Sequence, residues 1–168
     1  KPQTIKDWTR PRNNNPLLVL IDPARITIFE NSLNMIWHHP VIGVGINTFS
    51  QNYGKYKTAH AESRFKTSDT YYAHNNFLHL AGEMGLTGLL VFLAFLWVVF
   101  TAAWRAFKGQ GDPFLKALSA GVLAALLAYL VNGLTETSLY HSRLVMIFWF
   151  LVGLALALKN SLQAKKIN

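Results

Sequence analysis

Hydrophobic positions gather in the second half of the chain, in three long runs. No charged side chain interrupts Gly85 to Trp104, and at 1.5 Å per residue these roughly 20 residues match a ~30 Å hydrocarbon core. Eleven of them are Leu, Val or Phe, each favouring insertion by roughly 0.3–0.6 kcal/mol, so the run predicts a membrane span. Ala117 to Thr135 is a second uncharged run, rich in Ala, Leu and Gly, whose small residues suit close packing against other helices. Leu144 to Leu158 is shorter and extends toward Tyr140, with Arg143 snorkelling to the interface. The expected spans are about 84–105, 115–135 and 141–158.

The first half has a different pattern. Lys1 to Pro16 mixes Lys, Arg, Asn and Pro with no apolar period and reads as an exposed loop. Asp22-Pro23 reads as an N-cap followed by proline at the first helical position, and Ile26, Phe29, Leu33, Ile36 and Trp37 recur at helical spacing, predicting an amphipathic helix to about Trp37. Pro40 stops it. Gly43-Val44-Gly45-Ile46-Asn47-Thr48-Phe49 supplies a glycine-bearing turn before another short helix, without the strand and third glycine of a dinucleotide fingerprint. Asp69 to Tyr72 leads into His74-Asn75-Asn76-Phe77-Leu78, and the same helix is expected to continue through Gly82-Glu83-Met84-Gly85 into the first span. The fold class is therefore all-α membrane protein: a mostly helical segment with amphipathic helices (1–83), three transmembrane helices (84–158) and a basic tail (159–168).

Composition and charge narrow the function. The 168 residues are 51% hydrophobic with mean hydropathy +0.21, which disfavours a uniformly globular protein. There is no cysteine, so disulfide scaffolds, thiolate zinc clusters and thiol nucleophiles are excluded. The net charge of +8 points to a membrane partner and not to nucleic acid, since no nucleic-acid module surrounds the basic residues. Arg105, Lys108 and Lys116 between the first two spans, and Lys159, Lys165 and Lys166 after the third, place those ends in the cytoplasm by the positive-inside rule. An odd number of spans then puts residues 1–83 outside, in the periplasm of a bacterium; a segment longer than about 60 residues escapes the rule. The start at Lys1, without the pattern of a signal peptide, suggests a longer protein that supplies the insertion signal.

Candidate chemistry lies in the outer segment. Arg25 falls in the first turn of a helix, where the backbone dipole disfavours a cation by a few tenths of a kcal/mol unless an anion lies close; an exposed arginine is the alternative. Lys55, Lys57, Arg64 and Lys66 form a basic stretch that either sits over lipid headgroups, binds a phosphate, or is a solvated face. His74 is either a packed interfacial residue or a base. His79, five positions on, is poorly spaced to share a metal with it, and His38 and His39 point apart with no carboxylate at ligand spacing. The spans hold no charge, which argues against a proton-coupled transporter.

Taken together, Arg25, the Pro40 to Phe49 stretch, the His74 to Leu78 run, Glu83 with Gly85 and Gly88, and the following spans resemble the C-terminal half of the O-antigen ligase and polymerase family, over roughly Pro23 to Leu158. Thr135-Glu136-Thr137-Ser138-Leu139-Tyr140 before a span with Phe148-Trp149 and Gly153 is similar as well. The resemblance implies a metal-independent, cofactor-free glycosyltransferase of the bacterial inner membrane. It takes a glycan from an undecaprenyl diphosphate carrier and passes it to lipid A core, to protein, or to another repeat unit. It implies His74 as the base near the acceptor hydroxyl and Arg25 as a contact to the carrier's diphosphate. The chemistry of the neighbouring side chains extends this: Asn75 or Glu83 to orient the imidazole or the acceptor, and Lys55, Lys57, Arg64 and Lys66 to assist the diphosphate. The ligases use a further arginine upstream, in an N-terminal transmembrane half that this chain lacks, so the chain alone is expected to be inactive. A polymerase, and a non-catalytic lipid-phosphate binding module, remain the alternatives.

Overall fold

The computed structural model describes residues 23–64, 70 and 72–167. Among these, all regular structure is helical, in the order α1 (Pro23–His38), α2 (Phe49–Tyr53), a 3-10 turn (Gly54–Tyr56), α3 (Ala59–Arg64), α4 (Asn76–Gly109), α5 (Pro113–Asn132), a 3-10 turn (Ser138–Tyr140) and α6 (Ser142–Ile167). Helices α4, α5 and α6 are each long and apolar enough to cross a membrane, as the hydropathy pattern predicts. They pack on one another through Leu96, Val99 and Ala103 of α4, Val122 and Leu126 of α5, and Phe148, Val152 and Ala155 of α6. At one end Gln110 donates to Leu158 O (3.3 Å) and Ser161 Oγ (3.1 Å), tying the α4–α5 turn to α6. The basic residues Arg105, Lys108, Lys116 and Lys159 gather toward that end, and the α5–α6 connection lies at the other. Helix α6 runs on from the third span through residues 159–167.

Packing differs from expectation on two helices. The small-residue run of α5 buries only Ser119, Val122 and Leu126, and Gly121 has no neighbour within 4 Å of where a side chain would start. On α1, which ends at His38 just ahead of Pro40 as expected, the buried face is Thr27, Ile28, Asn31, Ser32, Met35 and Ile36, whereas Leu33 and Trp37 stand outward. The apolar stripe read from the sequence is thus split: Ile36 is buried, Ile26 and Phe29 are half-buried, and Leu33 and Trp37 face outward. Polar groups on the inner face are satisfied: Thr27 donates to Ala61 O (3.3 Å), Asn31 Nδ2 to the Tyr53 hydroxyl (3.0 Å), Thr58 N to Asn31 Oδ1 (2.9 Å), and Ser32 to Ile28 O (2.7 Å). Burying such groups unpaired would cost 1–3 kcal/mol each on typical scales, about what the pairing averts. Ile28 and Met35 join Phe49, Tyr53 and Ala73 in a second apolar core.

The first span does not begin as one continuous helix. Gly85 has φ 69° and ψ −176°, a region essentially reserved for glycine, and helical bonding breaks there. The loop after α1 fills the break. Val44 N–H donates to Gly82 O (2.9 Å), Gly45 N–H to Glu83 O (2.9 Å), and Leu86 N–H to Pro40 O (2.7 Å). Backbone groups freed near an apolar layer must find partners, and these three bonds supply them. A Cβ on Gly43 would overlap the backbone of Glu83, and one on Gly85 the backbone of Val41. The glycines of two distant sequence elements are therefore the two halves of one backbone contact.

Candidate active site

His74 sits just before α4, and the chain enters the helix through an Asn75 cap. The Asn75 Oδ1 accepts from Phe77 N–H and Leu78 N–H, both at 2.9 Å, and its Nδ2 donates to Leu134 O at 2.9 Å. His74 itself has φ 50°, a left-handed conformation that costs a non-glycine residue roughly 1–2 kcal/mol. Its neighbours hold it there. Ala73 N–H donates to His79 Nδ1 (3.2 Å) and Asn76 N–H to Gly133 O (2.7 Å). Strain maintained from both sides at one residue is a feature of functional positions.

Asn76, buried, joins this corner to the α5–α6 connection. Its Nδ2 donates to Ser138 Oγ (3.2 Å), its Oδ1 accepts from Leu139 N–H (3.1 Å), and Ser138 Oγ donates onward to Asn132 Oδ1 (3.1 Å). These bonds set the connection across the mouth of the bundle, with Glu136 on it facing His74. Glu136 Oε2 lies 3.5 Å from His74 Nδ1. Its other oxygen, Oε1, accepts from Arg25 Nη2 at 2.6 Å, while Arg25 Nη1 donates to Thr135 O at 2.7 Å. Arg25 and His74, 49 positions apart in the numbering, thus converge on one carboxylate. All three side chains are about one third exposed, at 34%, 36% and 39% for Arg25, His74 and Glu136, so the site is open to a ligand.

The electrostatics follow from this geometry. Partial burial alone would raise the Glu136 carboxyl, but hydrogen bonds from Arg25 and His74 and the Arg25 charge outweigh it and hold the group below 4.5. The carboxylate supplies the anion that a cation in the first turn of α1 calls for. With Nδ1 turned to the carboxylate, the imidazole has Nε2 left to accept a proton. Arg25 has five N–H donors in all, so donors remain beyond the two directed to the connection.

Two residues expected to orient the imidazole or the acceptor are placed elsewhere. The Asn75 amide is taken up by the helix cap and Leu134. Glu83 is buried at 1% exposure: its Oε1 accepts from Phe49 N–H (3.1 Å) with His79 Nε2 at 3.4 Å, and its Oε2 accepts from the Tyr140 hydroxyl (2.9 Å). It braces the site from below without facing it. The group that faces His74 is Glu136, which sequence reasoning quoted only within a run of residues. The missed signal was the anion that Arg25 needs, together with the scarcity of carboxylates, eight in the chain. Arg64 closes α3, and its side chain, like Lys66, lies outside the described residues, as do Asp22 and residues 1–16, expected as a loop. Lys55 donates to Asn52 Oδ1 (3.0 Å) and Lys57 lies over the Tyr53 ring (5.7 Å), both on the α2 side of the outer segment. Among the described residues no group of three His, Asp or Glu side chains could hold a metal ion.

No curated protein compared with the chain matches it. A protein-family model, described as O-antigen ligase, matches residues 12–93. The match takes in Arg25, the loop that fills the helix break, His74 and Glu83, and ends within α4, before Glu136. Over residues 12–93 the chain is therefore similar to the O-antigen ligase family, the one that the sequence resembles.

Proposed function

We propose that the protein is a ligase-type membrane glycosyltransferase, moving a glycan from an undecaprenyl diphosphate carrier to an acceptor hydroxyl outside the inner membrane. The observation that carries this reading is the convergence of Arg25 and His74 on Glu136 at one end of the bundle. In the reaction the acceptor oxygen attacks the anomeric carbon, its proton passes to His74 Nε2, and the bond from that carbon to the diphosphate oxygen breaks with inversion. Glu136 holds the imidazole with Nδ1 protonated and stabilises the imidazolium that forms. The spare guanidinium donors of Arg25 neutralise the departing diphosphate, for which bidentate hydrogen bonding is well suited. Neither step calls for a metal or cofactor. The end bearing Arg105, Lys108, Lys116 and Lys159 is cytoplasmic in this reading, and the site faces the periplasm.

His74→Ala, placed in the full-length protein in its native membrane, tests the base. Membrane insertion stays intact and transfer falls by about 10²–10⁴-fold, the usual worth of a positioned base, with glycan accumulating on the carrier. Transfer at the original rate would remove His74 from the chemistry. Product length separates the polymerase: losing a polymerase leaves single repeats on the acceptor, and losing a ligase leaves long chains on the carrier. A binding module would show binding weakened by salt and no glycan phenotype.

A further inference from the structure

The outer segment leaves large apolar side chains uncovered by its own core. Leu33 and Trp37, one turn apart on α1, are 54% and 82% exposed, and Val41, Ile42 and Ile46 in the next loop are 60%, 77% and 70% exposed. Single exposed apolar residues are ordinary, but a run of them on one helix face and the adjoining loop is a contact surface. No Asp, Glu, Lys or Arg occurs between Glu30 and Lys55. The patch therefore lacks the charged rim expected where a protein segment faces water.

Backbone geometry fixes its height. Pro40 O accepts from Leu86 N–H at 2.7 Å and Val41 O accepts from the Thr87 hydroxyl at 2.6 Å, so the loop lies beside the first turn of the uncharged run Gly85 to Trp104. That run is itself about as long as the hydrocarbon core is thick, which sets its first turn at the edge of the apolar layer. Leu86 and Leu90, at 45% and 65% exposed, continue the apolar surface down the span. An indole at this level is at its preferred depth, the interface between headgroups and acyl chains.

We infer that Trp37, Val41, Ile42 and Ile46 insert into the lipid bilayer at this end of the bundle, as an interfacial foot of the outer segment. The foot fixes the height of α1, and with it Arg25, above the acyl chains. The inference concerns a surface and not a reaction, so failure of the transferase reading leaves it standing.

The absence of native cysteine allows a direct test by single-cysteine spin labelling. Ile42→Cys and Ile46→Cys would be labelled with a nitroxide in the protein reconstituted in phosphatidylethanolamine and phosphatidylglycerol liposomes. Gln51→Cys, at an exposed polar position, is the water reference; Leu90→Cys is the lipid reference, and Leu126→Cys the buried one. The expected result is an oxygen-to-nickel-complex collision ratio at 42 and 46 several-fold above that at 51 and close to that at 90. A ratio like that at 51 means the loop is in water and overturns the inference. Low collision with both reagents, as at 126, means that protein covers the loop and overturns it as well.

Discussion

At the scale of single residues, the proposed reaction makes Glu136 the group that sets how the imidazole is used. Glu136→Gln keeps the shape and an oxygen for Arg25, but turns an amide N–H toward His74 Nδ1 in place of an acceptor. That favours the tautomer with the proton on Nε2, the nitrogen that must be free. Transfer is expected to fall roughly tenfold or more, within or below the range for loss of a base, with substrate binding largely kept. A variant with unchanged transfer would show that Glu136 does not set the tautomer. Stability has its own pH signature. Because the carboxyl is held below 4.5 in the fold, its contribution is fully present above the unfolded value and lost as pH falls through the depressed folded value. The original protein should therefore lose thermal stability below about pH 4.5 in part through this pair, and the Gln variant should lack that component. Its size stays under about 1 kcal/mol, since the pair is more than one third exposed and screened. Glu136 was hidden in the sequence because nothing local marks it: its partners lie on α1 and before α4, and only helix packing brings them together.

At the scale of elements, the break at Gly85 and the loop that fills it form a joint between the outer segment and the bundle. Gly85→Ala places a Cβ against the Val41 backbone in a conformation that costs a non-glycine residue about 1–3 kcal/mol. The expected outcome is that the loop from Pro40 to Phe49 undocks and becomes sensitive to protease while α4, α5 and α6 stay inserted. An unchanged digestion pattern and melting temperature would show that the joint tolerates a side chain. The spans themselves were legible, because hydropathy over roughly 20 residues reports burial in lipid whatever the neighbours do. The break was not, because hydropathy is blind to φ: an unbroken helix from His74 into the span was the expectation. The end of α1 at His38 was also legible, being a local matter of the proline two residues on. Its inward face was not. Thr27, Asn31 and Ser32 point inward because Tyr53, Thr58 and Ala61 offer hydrogen bonds, which no periodicity of apolar residues records.

At the scale of the whole molecule, two buried polar residues of α4 tie the parts of the fold together. Asn76 ties the start of α4 to the α5–α6 connection, and Glu83 ties α4 to the outer segment through Phe49 and to the same connection through Tyr140. The His79–Glu83 spacing of one helical turn was legible in the sequence, yet its meaning depends on burial, which brings the carboxylate under the site instead of into it. Glu83→Ala would leave the Phe49 N–H, the Tyr140 hydroxyl and His79 Nε2 short of an acceptor in a dry interior. The loss is expected to be about 3 kcal/mol or more, read as a lowered melting temperature in detergent together with protease sensitivity around Phe49. Transfer should fall only as far as the folded fraction does, and Glu83→Gln, which restores one acceptor, should recover part of both. His74→Ala and Glu136→Gln should lower the melting temperature at neutral pH by far less, within the roughly 1 kcal/mol that an exposed pair contributes. A Glu83→Ala protein that melts normally but cannot transfer would reverse this assignment, because a carboxylate needed for transfer but not for stability must act on the substrate.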